Sequence, residues 1–292
     1  MALSEKLISS LKNLNLDSAY VESIARQAIA EDLAGGVDVT SQATIPADQQ
    51  AVAEYVTRKP GVIAGLNIAA AVLECEGINE YEILVSEGSQ VDAGRAVLRA
   101  KGDTRKLLLT ERTALNFLGR LSGIATLTNR WVTELKGTSA KVRDTRKTTP
   151  LFREFEKFAV RMGGGENHRM SLSDAALIKD NHIVAAGSAE KAFAKVKSAY
   201  PNLDLEVEVD SLEQLKEVLA AGAQLVLLDN MSLEQCRAAV EIVAGRTKLE
   251  ASGGLTLENA KAYGNTGVDY LAVGALTHSA PVLDIGLDLR ME

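Results

Sequence analysis

Basic side chains are concentrated in one segment of an otherwise acidic sequence. The chain has 292 residues and a net charge of −7, but the window from Lys141 to Arg169 contains eight Lys or Arg and four acids, a net charge of +4. Arginine offers a planar fork that binds carboxylates or phosphates in bidentate fashion, and lysine offers a compact point charge. Such a segment in an acidic protein predicts a binding site for a small polyanion and argues against a nucleic-acid surface.

Six short apolar runs in the second half of the sequence each end in polar, charged or glycine residues. In chain order these are Arg146–Lys147, Lys179, Glu208, Asp229, Ser252–Gly254 and Val273–Gly274. Helical patterns separate the runs, and this alternation predicts a parallel sheet covered on both faces. Six such units close more readily into a barrel, where the carboxyl ends of the strands meet at one mouth. We therefore expect these residues to line one site with His168 and Arg169, although a lone charged residue is more often a cap or a surface ion pair.

Two of these glycine-containing turns are candidates for phosphate binding. Ser252–Gly254 precedes a helix predicted from Leu257, and Val273–Gly274 follows the last predicted strand. Glycine lets backbone N–H groups approach a phosphate closely, and the last strands of a barrel are a common place for such a site. Either pair would also serve as an ordinary turn. A third stretch, Gly163–Gly165, lacks nucleotide-loop spacing and is either a loop over a bound anion or a linker.

Glu208 and Asp229 are acids that end neighbouring strands of the predicted barrel. They would form ion pairs with the nearby cations, or they would bind ribose hydroxyls, hold Mg²⁺ through oxygen atoms, or stabilise positive charge on a sugar ring. The residues alone leave these alternatives open.

The first half of the chain has a different pattern. Val21–Ile29 shows helical spacing with Ser18 as the N-cap, Val52–Thr57 and Tyr81–Val85 are typical of strands, and Arg105–Trp131 predicts one or two long helices. Together the two halves predict an α/β protein with two domains.

No apolar run reaches the roughly 18 residues that span a bilayer, and the N-terminus lacks a leader-like apolar segment. We expect a cytoplasmic protein that does not bind membranes.

One long stretch makes the sequence recognisable. Residues Asp144–His182, DTRKTTPLFREFEKFAVRMGGGENHRMSLSDAALIKDNH, resemble the quinolinate phosphoribosyltransferase family, and so do EVEVDSLEQL, LLDNMS and EASGGL further along the chain. The resemblance extends over essentially the whole sequence. It implies an N-terminal α/β sandwich domain at residues 1–115, which residues 280–292 rejoin, and an incomplete parallel α/β barrel at residues 116–279.

The resemblance also implies a reaction between two anionic substrates. In this family quinolinate attacks C1 of 5-phosphoribosyl 1-pyrophosphate (PRPP), pyrophosphate leaves, and the ring then loses its 2-carboxylate as CO₂. The product, nicotinate mononucleotide, enters de novo NAD synthesis. Mg²⁺ is expected with PRPP near Glu208 and Asp229, and no organic cofactor is expected.

The family's site residues transfer to matching positions in this sequence. The implied substrate-binding residues are Arg112, Thr145, Arg146, Lys147, His168, Arg169, Lys179, Glu208, Asp229, Ser252, Gly253, Gly254, Val273 and Gly274. The implied catalytic residues are Lys147, Lys179, Glu208 and Asp229. The two arginines and Lys179 would hold the quinolinate carboxylates, Lys147 would face the pyrophosphate and phosphate charge, the acids would bind the ribose and Mg²⁺, and the glycine turns would hold the 5′-phosphate. Arg112 would enter the site from the partner subunit of a homodimer, whereas from the residues alone a local pair with Glu111 is favoured.

Three positions depart from the family pattern. Leu151 and Ser171 stand where glycine is frequent, and Val37 separates Gly36 from an aspartate, Asp38, that often follows it directly. These departures concern the shape of local loops and leave the charged residues unchanged.

Other functions remain as alternatives. Nicotinate phosphoribosyltransferase and a molybdenum-transport-associated relative of the family are of related type, but the trio of Arg146, Arg169 and Lys179 favours a dicarboxylate substrate. A non-catalytic carrier is suggested by EGSQVDAGRAVL, which resembles lipoyl carrier hairpins. That segment, however, contains no lysine to carry such a group.

Overall fold

Helices and strands alternate along the chain, as the sequence predicts. The computed structural model describes residues 2–291. Its helices are α1 (Glu5–Asn13), α2 (Ser18–Leu33), α3 (Val39–Thr44), α4 (Leu66–Cys75), α5 (Thr104–Glu134), α6 (Arg153–Met162), α7 (Asp180–Ala186), α8 (Ala189–Ala199), α9 (Leu212–Ala220), α10 (Leu233–Val243), α11 (Leu257–Gly264) and α12 (Ala275–His278). Its strands are β1 (Gln50–Thr57), β2 (Gly61–Val62), β3 (Glu80–Ile83), β4 (Gln90–Val91), β5 (Ala96–Asp103), β6 (Lys141–Arg143), β7 (Ala175–Ile178), β8 (Asp204–Val209), β9 (Leu225–Asp229), β10 (Lys248–Ser252), β11 (Tyr270–Ala272) and β12 (Ile285–Met291). Across residues 2–291, no helix has both the length and the apolarity that crossing a bilayer requires.

The chain forms two compact units. The first contains the residues up to Leu127, the segment Glu154–Gly164 and the C-terminal segment from Ala280, and the second contains Thr128–Arg153 and Gly165–Ser279. The sequence-based division differs from this one. It placed the boundary after residue 115, and it assigned all of residues 116–279 to the barrel.

Packing within the first unit explains both differences. Helix α5 continues past residue 115 without a break, and a Cβ on Gly123 would lie 2.0 Å from the carbonyl oxygen of Pro281. The C-terminal segment therefore packs directly on the backbone of α5. Helix α6 belongs to this unit because the tilted rings of Phe155 and Tyr20 have centroids 5.5 Å apart, and because the buried Glu156 pairs with Arg120 at 2.8 Å.

The first unit is an α/β sandwich built on an antiparallel sheet in the order β12-β1-β5-β3. The last strand in the chain, β12, pairs with β1 along its length, with Ala53 opposite Leu289. Alternate residues of β1, Ala51, Ala53 and Tyr55, are buried, as expected for a strand with one face on a core. Helix α4 is buried at every position, so it forms the centre of this core.

The second unit contains a parallel sheet in the order β6-β11-β10-β9-β8-β7. The first strand of this sheet in chain order, β6, pairs with its last, β11, while β7 forms the other edge. Within residues 2–291 these two edge strands do not pair with each other, so the barrel is incomplete. The predicted α/β fold class, with a sandwich and an incomplete parallel barrel, is confirmed.

The three departures from the family pattern are accommodated differently. Leu151 adopts the left-handed conformation, with φ of 62°, and its side chain is exposed; this conformation disfavours residues with a Cβ. Ser171 uses its backbone N–H and its hydroxyl to bind Asp174 at 2.8 and 3.0 Å. Asp38 caps α3, because its Oδ1 accepts the N–H of Ser41 at 3.0 Å.

Candidate functional site

The carboxyl ends of the barrel strands carry the residues that the sequence singled out. Arg146 and Lys147 follow β6, Lys179 directly follows β7, and Glu208 lies near the end of β8. Asp229 and Ser252 are the last residues of β9 and β10, and Val273–Gly274 follows β11. The predicted gathering of these residues at the strand ends is therefore present in the second unit. We call this end of the barrel the mouth.

The strand register places the acidic and glycine-containing positions on one face of the sheet. Asp229 is paired with Ser252, and Glu208 is paired with Leu227, two residues before Asp229. Paired residues of parallel strands point to the same side, and side chains alternate along each strand. Glu208, Asp229 and Ser252 consequently share one face.

Arg146 and Arg169 lie near each other, and each has an N–H donor that no acceptor among residues 2–291 satisfies. Arg169 donates from Nη1 to the carbonyl oxygen of Ala175 at 2.9 Å, but the Nε atoms of Arg146 and Arg169 are buried without a hydrogen-bond partner among residues 2–291. Burial, and then the positive charge of Arg146, lower the pKa of the Arg169 guanidinium. A buried donor without an acceptor is costly, so this pair is suited to binding an anion.

Lys179 is fixed at the mouth by two contacts. Its Nζ pairs with the carboxylate of Glu208, and its backbone N–H donates to Nδ1 of His182 at 3.0 Å. No site role was predicted for His182 from the sequence. The structure gives it the task of closing the first turn of α7, which holds Lys179 in place.

Asn230 holds the mouth's second acid beside a glycine turn. Its Nδ2 donates to Asp229 at 2.8 Å, and its backbone N–H donates to the carbonyl oxygen of Ser252 at 2.8 Å. Gly253 has φ of 90°, and a Cβ there would lie 2.0 Å from Oδ1 of Asn230. Only glycine fits this position, and the sequence did not single out Asn230.

Lys147 lies against the other glycine turn. Its backbone N–H donates to Oγ1 of Thr145 at 3.0 Å, and its backbone carbonyl accepts the hydroxyl of Thr277 at 2.8 Å. A Cβ on Gly274 would lie 3.0 Å from Cδ of Lys147 and 3.2 Å from Nε2 of His278. The lysine stem, the glycine turn and His278 are therefore neighbours.

A buried charge cluster lies inside the barrel, one layer nearer the strand starts than the mouth. Nη1 of Arg143 binds Oε2 of Glu250 at 2.8 Å, and Nε2 of His168 lies 2.6 Å from Oε2 of Glu206 and 3.7 Å from Oε1 of Glu250. Glu250 is fully buried and Glu206 nearly so. Burial, and then the negative charge of Glu206, raise the pKa of Glu250 to about 7.

The glycine-rich stretch is tied to the edge of the barrel. The N–H of Glu166 donates to the carbonyl oxygen of Val142 at 2.9 Å. The buried carboxylate of Asp144 accepts the backbone N–H of His168 at 2.8 Å and the side-chain amide of Asn167 at 2.5 Å. These bonds fix His168 and Arg169 in position, so residues 165–169 are anchored rather than a free linker.

Arg112 lies in the first unit, exposed on α5. Within residues 2–291, no ion pair joins it to Glu111, so the local pair favoured from the residues alone is absent. Its entry into a partner's site stays a prediction.

The chain matches proteins of one family over nearly its full length. Residues 38–122 match the description "Quinolinate phosphoribosyl transferase, N-terminal domain", and residues 124–288 match the corresponding C-terminal domain. A nicotinate-nucleotide pyrophosphorylase (carboxylating) from Mycobacterium leprae is 52% identical over 270 residues, which are 90% of this chain and 95% of that protein. A protein from Bacillus subtilis, described as a probable enzyme of the same name, is 41% identical over 89% of this chain and 90% of its own length. The crystal structure of NadC from Streptococcus pyogenes gives a TM-score of 0.91 at 39% identity, and covers 95% of this chain and 99% of that one.

Proposed function

The chain belongs to the quinolinate phosphoribosyltransferase family, and on that premise we propose that it transfers the phosphoribosyl group of PRPP to quinolinate with loss of CO₂. The products are nicotinate mononucleotide, pyrophosphate and CO₂, and the reaction serves NAD biosynthesis. The enzyme is accordingly a pentosyltransferase, and its relatives carry the name nicotinate-nucleotide pyrophosphorylase (carboxylating).

The pair of Arg146 and Arg169 is the observation that carries this proposal. Each guanidinium has a buried Nε without an acceptor among residues 2–291, and the positive charge of Arg146 is one cause of the lowered pKa of Arg169. A planar dicarboxylate would place one carboxylate against each guanidinium. It would supply the missing hydrogen-bond acceptors and offset the repulsion between the two positive charges. Lys179, which follows β7, supplies a further positive charge at the mouth.

The two acids suit the sugar side of the reaction. Departure of pyrophosphate leaves positive charge on the ribose ring, and carboxylates held nearby stabilise that charge before the ring nitrogen attacks. Glu208 and Asp229 present carboxylate oxygens, which are the ligands that Mg²⁺ prefers, so these residues fit Mg²⁺ carried by PRPP. When bound, Mg²⁺ would neutralise charge on the departing pyrophosphate.

The glycine turns suit the phosphate groups. Gly253 and Gly254 both have positive φ, at 90° and 61°, which exposes backbone N–H groups in a way that residues with a Cβ seldom allow. Lys147, which lies against Gly274, adds a positive charge beside these turns.

We further propose a homodimer in which Arg112 of one subunit completes the quinolinate site of the other. The support is the family resemblance together with the exposure of Arg112 on α5. A cytoplasmic location is also part of the proposal, since both cysteines, Cys75 and Cys236, are buried free thiols, as is usual in a reducing compartment.

Release of CO₂ from quinolinate tests the function directly. With PRPP and Mg²⁺, quinolinate labelled in its 2-carboxylate is expected to release one labelled CO₂ for each pyrophosphate, and nicotinate is expected to give little product. A preference for nicotinate, or pyrophosphate release without CO₂, would overturn the assignment.

Gly253→Ala is expected to raise the KM for PRPP at least tenfold, because the new Cβ collides with Asn230 and deforms the turn. Steady-state kinetics with PRPP varied at saturating quinolinate measures this. Gly245→Ala is the matched control: Gly245 also has positive φ, at 74°, but a Cβ there meets nothing within 4 Å. An unchanged KM for PRPP in Gly253→Ala would remove this turn from the phosphate site.

A further inference from the structure

The two arginines that carry the proposed function lie in connections between helices and strands. Arg146 lies between the end of β6 at Arg143 and the start of α6, and Arg169 lies between the end of α6 and the start of β7 at Ala175. The backbone of such connections is not held by a helix or sheet ladder, so its position depends on other hydrogen bonds. Quinolinate carries its carboxylates on neighbouring ring carbons, and one guanidinium for each carboxylate requires a set spacing between the two groups.

Asp144 joins the two connections ahead of the arginines. Its buried carboxylate accepts the backbone N–H of His168 at 2.8 Å. Asp144 lies two residues before Arg146, and His168 lies directly before Arg169. A joint on this side alone fixes one point of each connection and leaves the spacing of the arginines free to change by rotation about that point.

Arg153 joins the same two connections beyond the arginines. Its Nε donates to Oγ1 of Thr148 at 3.0 Å, and its Nη1 donates to the carbonyl oxygen of Met170 at 3.1 Å. Thr148 lies two residues after Arg146, and Met170 lies directly after Arg169. All five residues belong to the second unit. Because the donors of a guanidinium have a fixed planar geometry, Arg153 holds its two acceptors at a set separation.

The two acceptors of Arg153 are also held within their own connections. The hydroxyl oxygen of Thr148 lies 3.5 Å from the backbone carbonyl oxygen of Arg146. The backbone N–H of Met170 donates to Oδ2 of Asp174 at 2.6 Å. Removing the side chain of Arg153 therefore leaves these local contacts in place and removes the joint between the two connections.

We propose that Arg153 is a positioning residue, which sets the spacing between the guanidinium groups of Arg146 and Arg169 and thereby the preference of the site for two carboxylates on neighbouring ring carbons. The inference rests on the proposed function, in which those groups bind quinolinate. Groups that are held in their binding positions before the ligand arrives lose less freedom on binding. Without Arg153 each arginine still binds a carboxylate, but the pair is no longer held at the spacing of one ring.

Two unreactive inhibitors separate the effect of spacing from that of charge. Benzene-1,2-dicarboxylate has both carboxylates of quinolinate without the ring nitrogen that reacts, and benzoate has one carboxylate. Arg153→Gln is expected to raise the inhibition constant of the dicarboxylate against quinolinate about tenfold, the effect of losing one charge-assisted hydrogen bond. The inhibition constant of benzoate and the KM for PRPP are expected to stay within about twofold of wild type.

Thr148→Val tests the same joint with a smaller change. It removes the hydroxyl that Nε of Arg153 binds and keeps nearly the same side-chain shape. The inhibition constant of the dicarboxylate is expected to rise about threefold, since one hydrogen bond of moderate strength is lost. Added to Arg153→Gln, this change is expected to cause no further loss, because both variants break one joint. Thr148→Val decides the matter even where Arg153→Gln fails to fold.

Arg105→Gln is the matched control. Arg105 also joins distant segments, since its Nε donates to the carbonyl oxygen of Ile45 at 2.9 Å and its Nη2 donates to that of Gln42 at 3.2 Å, but it lies in the first unit. Both inhibition constants are expected to be unchanged in this variant.

Equal weakening of both inhibitors in Arg153→Gln would show a general structural role and would overturn the inference. So would an unchanged inhibition constant for the dicarboxylate in Arg153→Gln or in Thr148→Val. In each of these cases the proposed function stands as long as the wild-type enzyme releases CO₂ from quinolinate. A wild-type enzyme that does not convert quinolinate would overturn both.

Discussion

Lys179→Ala is expected to lower kcat by about 10²- to 10³-fold, the range seen when one group that stabilises developing charge is removed. Lys179 follows β7 at the mouth, and its Nζ pairs with Glu208. Without it, the substrate carboxylate loses a positive partner, and the Glu208 carboxylate loses the cation that balances it beside the sugar. Steady-state kinetics with quinolinate and PRPP measures the loss.

Lys141→Ala is the matched control for that variant. Nζ of Lys141 also pairs with a carboxylate, Oε1 of Glu166, at 2.5 Å, but the pair is exposed and lies at the start of β6. An exposed ion pair contributes little, so kcat is expected to stay within about twofold of wild type. A Lys179→Ala enzyme with near wild-type turnover would exclude Lys179 from the reaction.

Arg146→Ala is expected to raise the KM for quinolinate by about 10- to 100-fold, with a much smaller effect on the KM for PRPP. Charge-assisted hydrogen bonds contribute about 1.5–3 kcal/mol, and each 1.4 kcal/mol corresponds to about tenfold in binding. Arg146→Lys is expected to recover little of the loss, because lysine lacks the planar fork. Varying each substrate at saturation of the other separates the two constants.

Arg246→Ala controls for the removal of a guanidinium from the same unit. Its side chain donates to the carbonyl oxygens of Val243 and Ile242 at the end of α10, where it meets no residue of the mouth. No change in either KM is expected. If Arg146→Ala instead weakened PRPP alone, the assignment of Arg146 to the dicarboxylate would be wrong.

The barrel could be predicted because buried parallel strands are apolar along their whole length. Helical patterns were expected between the strands, and α10 is one such helix, with its N-terminus capped by Ser232 and closed by Gln235 in a capping box. The stretch Arg105–Trp131, expected as one or two helices, is a single helix from Thr104 to Glu134. The unit boundary could not be located, because a continuous helix carries no local signal of where its packing partners change.

The mouth could be predicted from residue types at the ends of apolar runs, but the cluster inside the barrel could not. The run DLEVEV, residues 204–209, was predicted as a strand of a sheet covered on both faces, yet it alternates acids with apolar residues, and the sequence names no partners for those acids. In the barrel, Glu206 faces inward, where its Oε2 lies 2.6 Å from Nε2 of His168, and Glu250 is paired with Arg143 from a distant part of the chain. Such partners follow from the three-dimensional register of the strands, which one sequence does not reveal.

The supporting residues Asp144, His182 and Asn230 were missed for a similar reason. Asp144 accepts the backbone N–H of His168, His182 accepts the backbone N–H of Lys179, and Asn230 donates to the carboxylate of Asp229. Each residue therefore positions a neighbouring site residue and places no charge of its own at the mouth. The sequence does place Asn230 directly after Asp229 and His182 three residues after Lys179. Those spacings match a turn and a helix start, and they are a usable signal once the strand ends are known.

A crystal structure with quinolinate and an unreactive PRPP analogue bound together is the most direct test of the central claim, that one basic mouth holds both anions. The account predicts quinolinate carboxylates on the guanidinium groups of Arg146 and Arg169, with the ribose against Glu208 and Asp229. Quinolinate bound without contact to either arginine would contradict it.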